Sequence, residues 1–249
     1  MSVTTRIQEL NNRLATNLVS KGVSAEGTET TTELINKVND IESGGTSVIN
    51  PEWTDWQYFS YNNNRNDLVA KLKYSDTSSG TNFYQMFLHC ASLTTIPQID
   101  TSNGTSFTSM FSGCKALTTI PQLDTSKGTS FYNMFYGCSN LTTIPPLDTS
   151  SGTSFNGMFY YCLNLTNLTM SGTIKATGMD LHYSTKLSKA SIISVINALS
   201  DTTNALKVQL PKTAVNNAFE TSSGVADGST SEEWTTLIAT KANWTIALS

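Results

Sequence analysis

The 249 residues leave room for one extended array with small flanking modules rather than several large domains. Only 14% of residues are charged, against 38% apolar, and the net charge is −4 with the basic residues spread thinly, which argues against nucleic acid as a partner because phosphate binding needs clustered Lys and Arg. No apolar run reaches the ~18 residues of a spanning helix, so no membrane insertion is expected.

In chain order, the first stretch, MSVTTRIQELNNRL, has no apolar core region or cleavage site of a signal peptide. A surface function would then need another exit from the cell, such as lysis. Within residues 4–21, Ile7, Leu10, Leu14 and Leu18 recur at helical spacing, with Gly22 available to end the helix. A second amphipathic stretch places Leu34, Ile35, Val38 and Ile41 on one face, between a threonine-rich start and Gly44-Gly45. The short polar link between them predicts an antiparallel helical hairpin over residues 1–45. Each helix has a single apolar stripe and two such stripes bury little, so these faces are expected to pack in an oligomer or on a partner; a stand-alone hairpin docked on the repeats is the other reading. A homo-oligomer is expected, with a trimer favoured.

Residues 46–75 open with a Gly/Ser linker and then crowd Trp53, Trp56, Tyr58, Phe59 and Tyr61 together. This segment is expected to close the N-terminal end of the array that begins at residue 76; a carbohydrate-stacking platform is the other reading.

From residue 76 to 170 a period of 24 residues governs the chain. Its units read TNFYQMFLHCASLTTIPQIDTSNG, TSFTSMFSGCKALTTIPQLDTSKG, TSFYNMFYGCSNLTTIPPLDTSSG and TSFNGMFYYCLNLTNLTM. Phe83, Phe107, Phe131 and Phe155 share one position, and each unit repeats a Met, a second Phe, a Cys and a Leu after it. A fixed period of this size predicts a solenoid, since one such unit cannot bury its apolar face without a neighbour. The Phe-x-x-Met-Phe-x-x-Cys spacing predicts a short helix of about two turns. The Leu-Thr-Thr-Ile-Pro segment predicts a strand, and Asp-Thr-Ser with the following Gly a turn. Stacked strands would then display a threonine array, Thr94 and Thr95, Thr118 and Thr119, Thr142 and Thr143. The expected fold class is an α/β repeat solenoid preceded by the helical hairpin.

Residues 171–249 lose the period. They predict a capped helix within STKLSKASIISVINALSD, a strand at KVQL, a helix capped by Ser231 with Glu232 and Glu233 near its positive end, and a closing strand NWTIALS. Their expected role is to cap the other end of the array, with no chemistry of their own.

All four cysteines occupy one position of the unit, which predicts a buried ladder of reduced thiols. Spacings of 24 do not offer the paired ligands that a zinc site needs. The aspartates Asp76, Asp100, Asp124 and Asp148 also form a ladder. Calcium wants about 6–8 oxygens and each loop offers one carboxylate, so each Asp is expected to bond its own turn instead. Of the two histidines, His89 stands where other units carry Gly or Tyr, and neither His89 nor His182 pairs with a nucleophile. No catalytic residue, cofactor or metal site is therefore expected. What varies between units is the set Tyr84, Tyr132, Tyr136, Tyr160 and Tyr161. Such rings suit recognition of protein or sugar, or alternatively cover the edges of Met and Phe.

The unit F-x-x-M-F-x-x-C-x-x-L-T-x-I-P with Asp-Thr-Ser in its turn resembles the BspA-like leucine-rich repeats of bacterial surface proteins, over residues 76 to about 170. The tail EEWTTLIATKANWTIALS is similar to the segment that often closes such repeats. The segment LNNRLATNLVSKGVSAEGTETTTELINKVNDI resembles the leader of tail and baseplate proteins from phages of Gram-positive bacteria. Together the resemblances imply a bacteriophage virion protein, assembled in the host and released by lysis. Its hairpin would attach to other virion proteins, and its repeats would bind a host cell-surface polysaccharide or protein. The other readings are a structural decoration or connector of the virion and, more distantly, a bacterial surface adhesin.

Overall fold

The computed structural model of the chain describes residues 77–200, 206–219, 229 and 231–249. The expected hairpin with its attachment face, Asp76 and the aromatic segment around Trp53 lie outside the described residues.

From Thr77 onward, equivalent residues of successive units lie side by side in parallel. Asn82 bridges Ser106, Ser106 bridges Ser130, and Ser130 bridges Ser154. The Leu-Thr-Thr-Ile-Pro segments align the same way: Thr119 bridges Thr143, and β1 (Thr143–Asp148) pairs in parallel with β2 (Asn167–Ser171).

The Phe-x-x-Met-Phe-x-x-Cys segments are not the short helices that their spacing predicts. In the first, the N–H groups of Met86, Leu88 and Cys90 donate to the carbonyls three residues back. Those of Phe83, Gln85, Phe87 and His89 donate to Ser106, Thr108, Met110 and Ser112 in the next unit. The backbone alternates between closing a turn and bonding to its neighbour, and the later units repeat the scheme. Two left-handed residues per unit make this possible: Gln85 and His89, Ser109 and Gly113, Asn133 and Gly137, Gly157 and Tyr161. Consecutive tight turns place Phe, Met, Phe and Cys on one side as a helix would, so the side-chain pattern alone does not separate the two.

The core is built from ladders of identical residues. Phe83, Phe107, Phe131 and Phe155 stack with centroids 5.6–5.7 Å apart, and Phe87, Phe111, Phe135 and Phe159 stack at 5.3–5.9 Å. All eight rings are fully buried. The four cysteines are reduced and buried. Cys114, Cys138 and Cys162 each donate Sγ–H to a Phe carbonyl of the preceding unit, at 3.1, 3.0 and 3.2 Å. Burial raises all four thiol pKa values, that of Cys90 to about 11. Glycine before each Phe lets the ring edge approach: a Cβ on Gly104 would stand 2.6 Å from Phe107 Cζ and 2.9 Å from Thr101 O.

A further turn follows Ser171 with its register shortened to 22 residues. The N–H of Ser188 donates to Thr166 O, and Lys186 Nζ donates to Asn164 Oδ1, each across 22 positions. In this register Leu181-His182-Tyr183-Ser184 follows Phe159-Tyr160-Tyr161-Cys162, and Leu187 follows Leu165. Helix α1 (Lys189–Ala198), capped by Ser188, then lies over β2. Its Ser191 and Ser194 hydroxyls accept the N–H groups of Leu168 and Met170, which would otherwise face an empty sheet edge.

The remaining chain forms a parallel sheet in the order β3 (Met179–Asp180), β4 (Leu206–Leu210), β5 (Trp244–Leu248). The strand and helix predicted near KVQL and Ser231 are present, the latter as α3 (Glu232–Ala239) with Ser231 accepting from Trp234 N–H. Helix α2 (Lys212–Phe219) was not predicted, and it contributes Phe219 to a buried contact 5.2 Å from Trp234.

Candidate functional site

The rings at the variable positions converge at one end of the stack. Tyr136 and Tyr160 are stacked, with centroids 5.6 Å apart and planes within 11°. Tyr161 stands edge-on to both, at 5.9 and 4.6 Å. The shortened turn supplies the next rung: Tyr183 stacks on Tyr161 at 4.3 Å, and Tyr183 and His182 flank Tyr160 at 4.8 and 5.5 Å. The His182 ring lies 3.7 Å from that of Tyr183, and its Nδ1–H donates to Asp180 Oδ1 at 2.6 Å. The same oxygen accepts the backbone N–H of His182 at 3.0 Å, so the strand that carries Asp180 also fixes the imidazole.

Tyr161 holds a left-handed backbone, φ 60°, at the position where two earlier units have Gly113 and Gly137. A bulky residue there is strained, at a typical cost of about 1–3 kcal/mol, and such strain concentrates at functional positions. The hydroxyl of Tyr183 raises the Tyr161 phenol above its ordinary pKa, and that of Tyr160 does the same to Tyr183.

Beside the rings opens a concavity of about 370 Å³. Tyr136 and Tyr160 line it together with the polar residues Asn156, Thr177, Asp180, Lys207 and Gln209. Met179 and two glycines at positive φ, Gly157 and Gly178, complete the lining. A Cβ on Gly178 would collide with the Asn156 side-chain amide, so the glycine makes room for that group.

Of the tyrosines singled out from the sequence, Tyr136, Tyr160 and Tyr161 come together. Tyr132 is exposed at 45% and Tyr84 is half-buried, and neither lines the concavity. The threonines stay apart as an array: Thr94, Thr95, Thr118, Thr119 and Thr142 are exposed and Thr143 is half-buried. None of the six lines the concavity. Thr142 and Thr166 donate their hydroxyls to the carbonyls of Thr118 and Thr142, which commits part of this array to holding adjacent units together.

His182, Tyr183, Asp180, Lys207 and Gln209 were not among the residues singled out for a site; they belong to the segment expected only to cap the array. A signal existed for part of them. LHYSTKL follows FYYCLNL position by position, with hydroxyl in place of thiol, but the change of period from 24 to 22 hides the match. Asp100, Asp124 and Asp148 each accept the N–H of the serine two residues on, and among the described residues no cluster of metal-ligating side chains occurs.

Residues 57–172 match the family described as "Mycoplasma protein of unknown function, DUF285", a match that covers the repeats. Searches of the curated proteins and of the solved structures found no match.

Proposed function

We propose that this chain is a bacteriophage virion protein of the tail fibre or baseplate that binds a host-surface receptor through a BspA-like leucine-rich-repeat solenoid. The observation that carries the reading is the group of Tyr136, Tyr160, Tyr161 and Tyr183 at one end of the ladders. There Tyr136 and Tyr161 are 37% and 39% exposed and strained backbone holds a ring outward. Rings with few rotatable bonds and a polar tip gain contact area at low entropy cost, which suits a binding surface. The parallel bonding of successive 24-residue units supports the solenoid, and the family match spans the same repeats. The virion assignment is supported by the resemblance of the N-terminal hairpin to phage tail and baseplate leaders. In this reading the hairpin joins other virion proteins in a homo-oligomer and the repeats project toward the cell. The protein acts by binding, without a reaction or cofactor.

The test is binding of the labelled full-length chain to intact cells of candidate Gram-positive hosts. Saturable binding that falls when wall glycans or surface proteins are stripped, and weakens in Tyr136→Ala and Tyr161→Ala, is the expected result. Absence of cell binding together with firm binding to virion proteins would overturn it and leave a structural connector.

A further inference from the structure

We infer that the concavity between the fourth unit and the C-terminal sheet binds one pyranose residue of a glycan. The inference rests on the receptor-binding reading and names the ligand class of its site.

The lining combines two chemistries, aromatic and polar, as the surface of a sugar ring combines C–H and hydroxyl groups. Tyr136 and Tyr160 present aromatic surface, against which the C–H face of a pyranose packs with its hydroxyls directed outward. Asn156, Asp180, Lys207 and Gln209 meet those hydroxyls. A hydroxyl both donates and accepts, and this set matches it: a carboxylate accepts, an ammonium donates, and the two amides do either. The volume of about 370 Å³ lies at the low end of the ~300–1,000 Å³ typical of small-molecule sites, and fits a single sugar unit better than a length of folded peptide.

The groups are also set in place before a ligand arrives. Tyr160 is held by Tyr136 on its face and by Tyr161, Tyr183 and His182 at its edges, so little rotamer freedom is left to lose on binding. Asp180 is oriented by two hydrogen bonds from His182 through one of its oxygens, which leaves the other to accept from a ligand. Among the described residues the Lys207 ammonium and the Asn156 side-chain amide make no hydrogen bond or ion pair to protein, and both line the concavity. Gly178, without a Cβ, gives the Asn156 amide room to sit against its backbone.

The experiment titrates the full-length protein with glucose, galactose, N-acetylglucosamine and glucuronate, followed by saturation-transfer NMR and tyrosine fluorescence. At least one sugar should bind saturably in the millimolar range, with transfer concentrated on the C–H protons of one ring face. Tyr160→Ala should weaken that binding by about tenfold or more. Asn156→Ala and Lys207→Ala alter exposed side chains and so leave the thermal midpoint unchanged, and each should weaken the binding several-fold. Glucuronate should be the sugar most affected by Lys207→Ala if it is the one that binds. No saturable binding by any of the four, or binding indifferent to both exposed substitutions, overturns the inference. So does competition for the site by peptides from digested host surface proteins but not by sugars. The two proposals fail separately. Cell binding that no sugar competes sinks the glycan site and keeps the receptor reading; sugar binding without cell binding does the reverse.

Discussion

At the scale of single residues, the ladders make the same side chain do different work at their ends. Thr77, Thr101 and Thr125 are buried and donate their hydroxyls to the carbonyls of Asp100, Asp124 and Asp148 in the next unit. Thr149 is the fourth in line and equally buried, but its Oγ1 has no partner. An unsatisfied buried hydroxyl costs about 1–3 kcal/mol, whereas a paired one contributes about 1 kcal/mol. Thr149→Val should therefore raise stability by about 1 kcal/mol, and Thr125→Val should lower it by a similar amount. Urea denaturation of the two variants checks the opposite signs. Tyr161 offers a second contrast. Tyr161→Gly releases backbone strain of about 1–3 kcal/mol and gives up ring contacts worth about 0.5–1.5 kcal/mol each. Because these offset, the thermal midpoint should move little, while binding to cells should fall sharply. A large loss of stability would show that the left-handed tyrosine is held for packing alone.

At the scale of elements, the end of the array is closed by hydroxyls. Ser191 Oγ accepts from Leu168 N–H at 2.9 Å and donates to Thr166 O at 3.0 Å, so one side chain satisfies two groups of the last unit. Ser191→Ala should cost about 1–3 kcal/mol and raise amide exchange at Leu168, which hydrogen-exchange NMR or mass spectrometry would report. Much at this scale could be read from the sequence. Ser231 as a helix cap, the KVQL strand and the inward ladder of Cys90, Cys114, Cys138 and Cys162 follow from capping chemistry and period. The two-turn helix in each unit did not survive, because tight turns closed by left-handed residues reproduce its spacing. The distinguishing mark was present two and six positions after each Phe, where Gly and Asn recur among the residues. In the site, Tyr136, Tyr160 and Tyr161 were legible as rings outside the apolar pattern. Asp180, Lys207 and Gln209 were not, since they reach the tyrosines only through a shortened turn and a sheet formed by distant segments.

At the scale of the whole molecule, the buried thiols couple the array to pH. The Cys90 thiol moves from 9.0 to about 11 on burial, and Cys114, Cys138 and Cys162 are raised as well. A raised pKa keeps the thiol protonated in the fold while the unfolded chain ionises. The associated stability is therefore complete below pH 9.0 and is lost as pH rises through about 11. The urea midpoint should fall across that window, and a Cys138→Ala variant should show a shallower fall. At neutral pH a thiol reagent should label none of the four cysteines in the native protein and all of them in denaturant.

The bonding between units has a consequence for how such a chain can change over generations. Among the described residues of the repeats, the hydrogen bonds that leave a unit reach its immediate neighbour, in a scheme that recurs every 24 residues. Excising or duplicating a block of that length rejoins like to like, so the edit passes without a fault at the seam. Each copy would lengthen the stack of units by about 4.8 Å, the spacing of bonded strands. The tyrosines and their concavity belong to the final units and the closing sheet, and such an edit would leave them unchanged. The length of the array and the make-up of its tyrosine cluster are thus separable traits: slippage in a repetitive gene can tune the first while point substitution tunes the second.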